Sequence, residues 1–149
     1  MNNNYLPTTE KELEKWMKEN CYNFNGYSIN GNVIFEGFGI DSTEGIFTWY
    51  FTERGQMKKL KTFQTENEIV AYAFNQIKTD KWGMSHCIGF TTSKDEMNEL
   101  ENILKERSIE YFQDAIPYYG LEQPVYRTFI YGCDIYKTQQ LKEKYYIEQ

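Results

Sequence analysis

The feature that most constrains this chain is a series of residue–glycine pairs in its first third. Four of them lie between positions 24 and 55: Asn25-Gly26, Asn30-Gly31, Glu44-Gly45 and Arg54-Gly55. Glycine and asparagine tolerate the positive φ angles that two-residue hairpin turns require. Residues 46–53 alternate large aromatic side chains with threonine and tyrosine, which is the pattern of a half-buried strand. The region therefore predicts the hairpins of an antiparallel β-meander.

Capping boxes predict where helices begin in the rest of the chain. A Ser or Thr is followed three positions later by Glu at three places: Thr9/Glu12, Thr65/Glu68 and Ser93/Glu96. Residues 84–92, 109–113 and 125–131 predict further strands, and the polar tail predicts a terminal helix. Together these patterns predict one α+β domain over residues 1–149. In it, an antiparallel sheet with an N-terminal β-meander carries about three to four helices packed on it.

Composition favours a protein with an aromatic, acidic surface. The 149 residues suit one core, and 17% of them are aromatic, including thirteen Tyr. Tyrosine suits binding surfaces, although strands are aromatic-rich in any case. The formal charge of −6 repels nucleic acid and steers the chain toward a basic partner, although it also fits plain solubility. We therefore expect no direct contact with nucleic acid.

The cysteines and the N-terminus bear on the compartment. Cys21, Cys87 and Cys133 are widely spaced, and no two of them form a C-x-x-C pair. The N-terminus lacks an apolar signal segment, and no apolar run approaches the length of a membrane span. We expect free thiols, a cytoplasmic location and no membrane contact.

The adjacent His86 and Cys87 raise the question of a catalytic thiol with its base. Both fall in the predicted strand 84–92, where successive side chains point to opposite faces. His86 would share its face with Ile88 and Phe90, while Cys87 would lie on the other face. The imidazole could then not reach the thiol, so the pair is interpreted as structural.

Metal and phosphate sites are not predicted. One His and three isolated Cys cannot supply a zinc site, and Asp41 and Glu44 lack the spacing of a calcium loop. Gly37 and Gly39 have no following Lys and no third glycine, so they indicate a bulge or close backbone packing rather than a phosphate loop.

Carboxylates leave one enzymatic alternative open. Glu36, Glu53 and Asp114 could support glycoside hydrolysis in an aromatic setting, but nothing in the sequence fixes their separation. No nucleophile motif is present. We expect no catalytic residue, cofactor or metal, and a small enzyme with an acidic aromatic cleft remains an alternative.

Several phrases resemble a known group of proteins. They are FNGYSI (24–29), WYFTERG (49–55), TFQTENEIVAYAFNQI (62–77), SHCIGF (85–90) and IPYYGLEQPVYRTFIYGCDI (116–135). Together they resemble small acidic immunity proteins (antitoxins) of Bacillus and other Firmicutes, encoded beside LXG-type polymorphic toxins. The resemblance implies a cytoplasmic protein that binds the C-terminal domain of its cognate toxin, often a nuclease, and blocks its active site. A general protein-interaction module without a toxin partner is the further alternative.

The resemblance supplies no inhibitory residues, so candidate contacts come from charge and aromatic content. A nuclease has a basic cleft, which an acidic face would complement, and aromatic side chains would supply affinity. Two segments combine these features. Their candidate residues are Glu36, Asp41, Glu44, Tyr50 and Glu53 in the hairpin 36–53, and Asp114, Tyr118, Tyr119 and Glu122 in the loop 114–122. Each of them also has a purely structural interpretation as a turn or packing residue.

The two arginines near these segments are interpreted as structural. Arg54 lies at a turn and could pair with a carboxylate to hold the hairpin. Arg127 alternates with apolar residues of a strand, so we expect it to be half-buried and paired with Asp114 or Asp134.

Overall fold

The computed structural model describes residues 5–147. Within them the chain forms four α-helices and seven strands in two sheets, which confirms the α+β class and the N-terminal meander. The chain divides into two compact units, one ending at Met84 and one beginning at Ser85. No linker or shift in composition predicted this division, and a single domain over residues 1–149 stays a prediction.

The N-terminal unit consists of a four-stranded sheet and two α-helices. Its elements are α1 (Glu10–Glu19), β1 (Tyr27–Ser28), β2 (Gly37–Thr43), β3 (Ile46–Glu53), β4 (Gln56–Phe63) and α2 (Glu66–Ile77), followed by a 3-10 turn at Lys81–Met84. The strands lie in the order β1-β2-β3-β4. The helices pack on one another through Trp16 and Phe74, whose ring centroids are 4.9 Å apart. Trp49 of β3 meets Tyr72 of α2 at 5.9 Å, which joins the sheet to the helices.

Two of the four residue–glycine pairs form the predicted hairpin turns. Glu44 and Gly45 have φ of 52° and 78°, and Arg54 and Gly55 have φ of 50° and 77°. Positive φ at both central residues gives a turn whose twist matches antiparallel strands, and β2-β3 and β3-β4 pair in this way. Arg54 forms no ion pair within residues 5–147, so its contribution to this hairpin is its backbone conformation.

The other two pairs do not form hairpins, because β1 runs parallel to β2. Just before β2, the Asn32 side chain and not a neighbouring strand satisfies backbone hydrogen-bonding groups. Its oxygen accepts from the Ile29 amide at 2.8 Å, and its nitrogen donates to the Tyr27 carbonyl at 2.8 Å. A side chain that satisfies backbone groups in this way competes with regular strand pairing. The expected antiparallel hairpin is therefore wrong here.

The C-terminal unit consists of a three-stranded antiparallel sheet and two α-helices. Its elements are β5 (Ser85–Thr91), α3 (Lys94–Glu106), β6 (Tyr111–Ile116), β7 (Val125–Tyr131), a 3-10 turn at Gly132–Tyr136 and α4 (Gln139–Tyr145). The strand order is β5-β7-β6. Buried residues of both helices share one core with the sheet: Ile88, Leu100, Leu104, Ile109, Ile130, Leu141 and Tyr145.

The capping boxes predicted the helix starts correctly. The side chains of Thr9, Thr65 and Ser93 each accept a hydrogen bond from the backbone amide three residues later. The strand expected at 109–113 begins instead at Tyr111, because the backbone first ends α3. Ser108 has φ of 57°, and the Ile109 amide donates to the Leu104 carbonyl at 3.0 Å. Ile109 is thus a buried helix-cap residue.

Candidate functional site

The loop between β6 and β7 presents the most concentrated set of candidate contacts. Tyr118 and Tyr119 are exposed, and Leu121 is 90% exposed. Their neighbour Glu122 is also exposed and makes no hydrogen bond or ion pair within the described residues. Three large apolar or aromatic side chains and one uncompensated carboxylate therefore face solvent within five residues.

Aromatic contacts at its base and a hydrogen bond within its turn hold this loop in place. The ring of Tyr118 meets Phe90 of β5 edge-on at 5.3 Å and the ring of Tyr119 at 4.8 Å. The Gly120 amide donates to the Pro117 carbonyl at 3.1 Å, and Gly120 has φ of 115°, which favours glycine. Pro117 and Pro124 restrict the backbone at the two ends. Such a loop loses little conformational entropy when a partner binds it.

An open cleft lies beside the loop, with a volume of about 480 Å³. It is lined by Thr92, Tyr119, Glu122, Gln123, Pro124 and Tyr126. A smaller cavity of about 130 Å³ shares Thr92 and Tyr119 and also includes Glu96. The Glu96 carboxylate is engaged, because it accepts from the Thr91 hydroxyl at 2.6 Å. Hydroxyl groups, aromatic faces and the Glu122 carboxylate suit the cleft to a cationic or hydrogen-bond-donating group.

Asp114, the remaining candidate of this segment, is already paired. Arg127 donates through Nε to Asp114 Oδ1 at 2.8 Å and through Nη2 to Oδ2 at 2.5 Å. This confirms the expected half-buried pair, with Asp114 rather than Asp134 as the partner. The carboxylate also raises the pKa of the Arg127 guanidinium above its ordinary value. The charge of Asp114 is therefore compensated within the sheet, unlike that of Glu122.

The candidates of the hairpin 36–53 lie at different places in the N-terminal unit. Glu44 occupies the β2-β3 turn at one end of the hairpin, whereas Glu36 and Glu53 lie at the other end. The β2 strand between them spans seven residues, or roughly 20 Å. These exposed carboxylates therefore do not form one patch.

Two further hairpin candidates have structural contacts. Asp41 accepts a hydrogen bond from the Thr43 hydroxyl at 2.9 Å, beside the turn. Tyr50 is only 9% exposed, and its ring packs against the open backbone of Gly39. Gly37 and Gly39 of β2 were predicted to mark a bulge or close backbone packing, and the contacts at both positions confirm close packing. Tyr50 offers little area to a partner.

Sequence reasoning missed a second exposed apolar group. Val33 is 97% exposed and Phe35 is 96% exposed, in the irregular segment just before β2. The run Val33-Ile34-Phe35 has the composition of a buried strand, and its isolation from the sheet depends on the turn at Asn30 and Asn32. The only local signal was the glycine on either side, Gly31 and Gly37.

His86 and Cys87 both lie in β5, as predicted. The Cys87 thiol donates to the Gly89 carbonyl at 3.3 Å, and burial raises its pKa. A raised pKa disfavours the nucleophilic thiolate. The expected alternation of side chains between the two faces of β5 is wrong beyond Cys87, because a bulge lies between Cys87 and Gly89. Cys87 lies opposite Phe129 and Phe90 lies opposite Arg127, so Phe90 shares the face of Cys87 and not that of His86.

The expectation of three free thiols is wrong. Cys21 and Cys133 are each disulfide-bonded, and Cys87 is the free cysteine of the described residues.

Residues 5–147 contain neither a metal-binding cluster nor a membrane-spanning helix. In that range, no three His, Cys, Asp or Glu side chains are grouped so that they could hold a metal ion. Nor does any helix there combine the length and apolar character needed to cross a membrane.

Comparison with known proteins identified no relative of this chain. No protein-family model, curated protein or solved structure matches it. Function is therefore inferred from the residues and their geometry.

Proposed function

We propose that this chain is an immunity protein that binds the C-terminal toxic domain of a cognate polymorphic toxin, a nuclease, and occludes its active site. The phrases that resemble immunity proteins encoded beside LXG-type toxins motivate the proposal. Its partner would be a basic domain. The resemblance, and not the cysteines, implies the cytoplasm as its place of action.

The observation that carries the proposal is the β6-β7 loop. Protein interfaces are enriched in aromatic side chains at their centre, with a polar rim. Tyr118 and Tyr119 supply the aromatic side chains, and Leu121 adds an exposed apolar one. Glu122 supplies a charge that no residue within 5–147 compensates.

Charge supports a basic partner. A nuclease gathers positive charge around the phosphates of its substrate, so an acidic ligand gains association rate and specificity there. The chain carries 22 acidic against 16 basic side chains. Glu122 lies in the cleft beside Tyr119 and Tyr126, where a lysine or arginine of the partner would meet both a carboxylate and aromatic faces.

The first experiment is co-expression with the polypeptide encoded immediately upstream. We expect that neighbour to arrest growth alone and to be tolerated with this protein. We also expect the two to co-purify in a stoichiometric complex that lacks nuclease activity. A harmless neighbour, or a toxic one that neither binds this protein nor is neutralised by it, would contradict the proposal.

Two variants then map the loop. Leu121→Ser and Glu122→Lys change exposed side chains, so we expect little change in the melting temperature. Each should raise the dissociation constant at least about tenfold, and the Glu122→Lys effect should shrink in high salt. Glu143→Lys is the matched control, because Glu143 is an exposed carboxylate of α4 with no hydrogen bond or ion pair in the described part of the chain.

A further inference from the structure

Strand β4 has an outer side that no other strand of the described residues covers, and we call it the β4 edge. β4 (Gln56–Phe63) is the last strand in the order β1-β2-β3-β4, so β3 pairs with one side of it only. Within residues 5–147, no segment outside the sheet forms a hydrogen bond with its backbone. Seven of its eight residues are exposed, and Phe63 is half-buried.

The backbone of such an edge can bind a further strand. In an antiparallel pair, every second residue directs its N–H and C=O groups toward the neighbouring strand, and the residues between them direct theirs away from it. An eight-residue strand therefore presents these groups to solvent at roughly four residues. Extended peptides that add to an exposed edge gain affinity from main-chain hydrogen bonds and specificity from side chains. The β4 edge is thus suited to an extended polypeptide segment.

Three lysines make the middle of the β4 edge basic. Lys58, Lys59 and Lys61 are exposed, and none of them forms an ion pair within the described residues. The β3 residues that pair with them are uncharged aromatic residues: Phe51, Tyr50 and Trp49. No carboxylate of β3 or β4 therefore lies opposite or between these lysines.

The carboxylates of the adjoining elements lie beyond the two ends of β4. At one end, Glu53 is followed by Arg54, which balances its charge. At the other end lie Glu44 of the β2-β3 turn and the first-turn residues Glu66 and Glu68 of α2, and both of these last two accept hydrogen bonds.

Distance limits the effect of these end charges. From Lys59, the strand ends at Gln56 and Phe63 are three and four residues away, or roughly 10 and 13 Å. Exposed charges separated by more than about 8 Å are largely screened at physiological salt. The middle of the β4 edge is therefore positive, although the whole chain carries a charge of −6.

This charge distinguishes between the possible occupants of the edge. A second copy that paired through its own β4 would bring the lysines of the two strands together, and edge lysines oppose such pairing. A nucleic acid cannot continue a ladder of amide hydrogen bonds, and the negative charge of the chain repels it. An extended segment with acidic side chains meets both the backbone groups and the lysines.

We propose that the β4 edge binds an extended acidic polypeptide segment, which adds a strand to the sheet. The carboxylates of the segment contact Lys58, Lys59 and Lys61. Its apolar side chains contact Met57 and Leu60, which are 52% and 45% exposed. The lysines that reject a second copy also select this partner. The inference does not rest on the proposed function, because the toxin contact proposed there is a basic surface at a different loop.

The test titrates the whole protein with a capped synthetic peptide of about ten residues, in which Glu alternates with Val and Thr. Amide hydrogen exchange is followed by NMR with and without the peptide. We expect exchange to slow at least about tenfold at alternate residues of β4, because the added strand protects those amides. A peptide with Lys in place of Glu should not bind.

A charge-reversal variant and a matched control test the role of the lysines. K58E/K59E changes exposed side chains, so it should melt within about 2 °C of the wild type, and it should bind the Glu peptide at least about tenfold more weakly. K11E/K94E is the control, because Lys11 and Lys94 are also exposed lysines without an ion pair in the described residues. It changes the net charge equally and should bind within about twofold of the wild type.

Four results would overturn the proposal. One is no binding of the Glu peptide at about 1 mM. Another is equal weakening in K58E/K59E and K11E/K94E, which would make net charge the only cause. Binding without slower exchange in β4 would mean that the lysines attract carboxylates but no strand is added. Dimerisation of the wild type that protects the same amides without peptide would assign the edge to a second copy.

Discussion

Replacement of Asp114 by Asn tests whether this carboxylate holds the sheet or meets a partner. In the structure it bridges β6 to β7 through two hydrogen bonds from Arg127, at 2.8 and 2.5 Å. Both side chains are about a quarter exposed, at 25% for Asp114 and 27% for Arg127. Asn keeps the shape but can accept only one of the two bonds, and it leaves the guanidinium without its counter-charge.

The size of the effect follows from the burial of the pair. Breaking a fully buried pair by removing one partner costs about 3–5 kcal/mol, whereas an exposed pair contributes about 0–1 kcal/mol. A pair that is a quarter exposed is partly screened by solvent, so we expect a loss of about 2 kcal/mol. For a chain of this length that loss lowers the melting temperature by about 4–8 °C.

The assay compares thermal and urea unfolding of Asp114→Asn with that of Glu99→Gln. Glu99 forms an ion pair with Lys144 at 3.6 Å, but both side chains are more than half exposed. We expect Glu99→Gln to cost less than about 1 kcal/mol. A double-mutant cycle with Arg127→Gln should give a coupling free energy above about 1 kcal/mol.

Two results would refute this reasoning. One is a loss of stability for Asp114→Asn no larger than that for Glu99→Gln, together with zero coupling to Arg127. The other is an unchanged melting temperature with weakened partner binding, which would make Asp114 a contact residue as the sequence predicted.

Three further substitutions and one reagent test other parts of the structure. Gly39→Ala should cost about 1–3 kcal/mol in urea unfolding, because its Cβ would lie 2.5 Å from the hydroxyl of buried Tyr50. Gly26→Ala, with nothing within 4 Å, should cost less than about 1 kcal/mol, and equal costs would contradict this packing. Burial raises the pKa of the Glu10 carboxyl in the folded protein above its value in the unfolded chain. The charged form therefore destabilises the fold at pH 7, and this cost disappears as the pH falls and both states become protonated. Glu10→Gln should raise the melting temperature at pH 7, and the gain should vanish toward pH 4. An equal gain at both pH values would exclude this cause. Under denaturing, non-reducing conditions a maleimide should label Cys87 alone, because Cys21 and Cys133 are disulfide-bonded. In the native protein it should label Cys87 slowly, because burial raises the pKa of that thiol, and labelling of all three cysteines under denaturing conditions would contradict the bonded state of Cys21 and Cys133.

The parts of the fold that could be predicted are those that a few neighbouring residues determine. Helix starts follow from Ser or Thr and Glu three residues apart, since the hydroxyl reaches the exposed amide within one turn. The turns at Glu44 and Arg54 follow from Gly45 and Gly55 between two strand-like segments, although Glu and Arg themselves seldom adopt positive φ. In these places local chemistry and the final structure agree.

The parts that could not be predicted depend on contacts between distant segments. The parallel pairing of β1 with β2 depends on how Asn32 satisfies the backbone at Tyr27 and Ile29. The bulge in β5 moves Phe90 to the other face of its strand. Gly89 is a residue type that often marks a bulge, but the expected alternation did not take it into account.

The candidate contact residues also divide into those whose exposure the local sequence indicated and those whose exposure depends on distant segments. Glu122 and the two tyrosines before it lie in a loop that two prolines already indicated, and they are exposed. Tyr50 has the same side chain as Tyr118, but it is buried because Gly39 opens a space on the neighbouring strand. Exposure of a tyrosine is therefore a property of its surroundings, which composition cannot supply.

Exposed side chains and backbone shape are separable in both exposed segments. Phe35 and Leu121 are at least 90% exposed, whereas Gly37 and Gly120 have the positive φ angles that shape the backbone beside them. A substitution at Leu121 should therefore weaken binding without unfolding, and one at a supporting glycine should alter the shape of the segment first. Because these two classes of residue do not overlap, a variant that loses binding at an unchanged melting temperature identifies a contact residue. That criterion distinguishes a binding surface from a misfolded one, whichever partner the chain has.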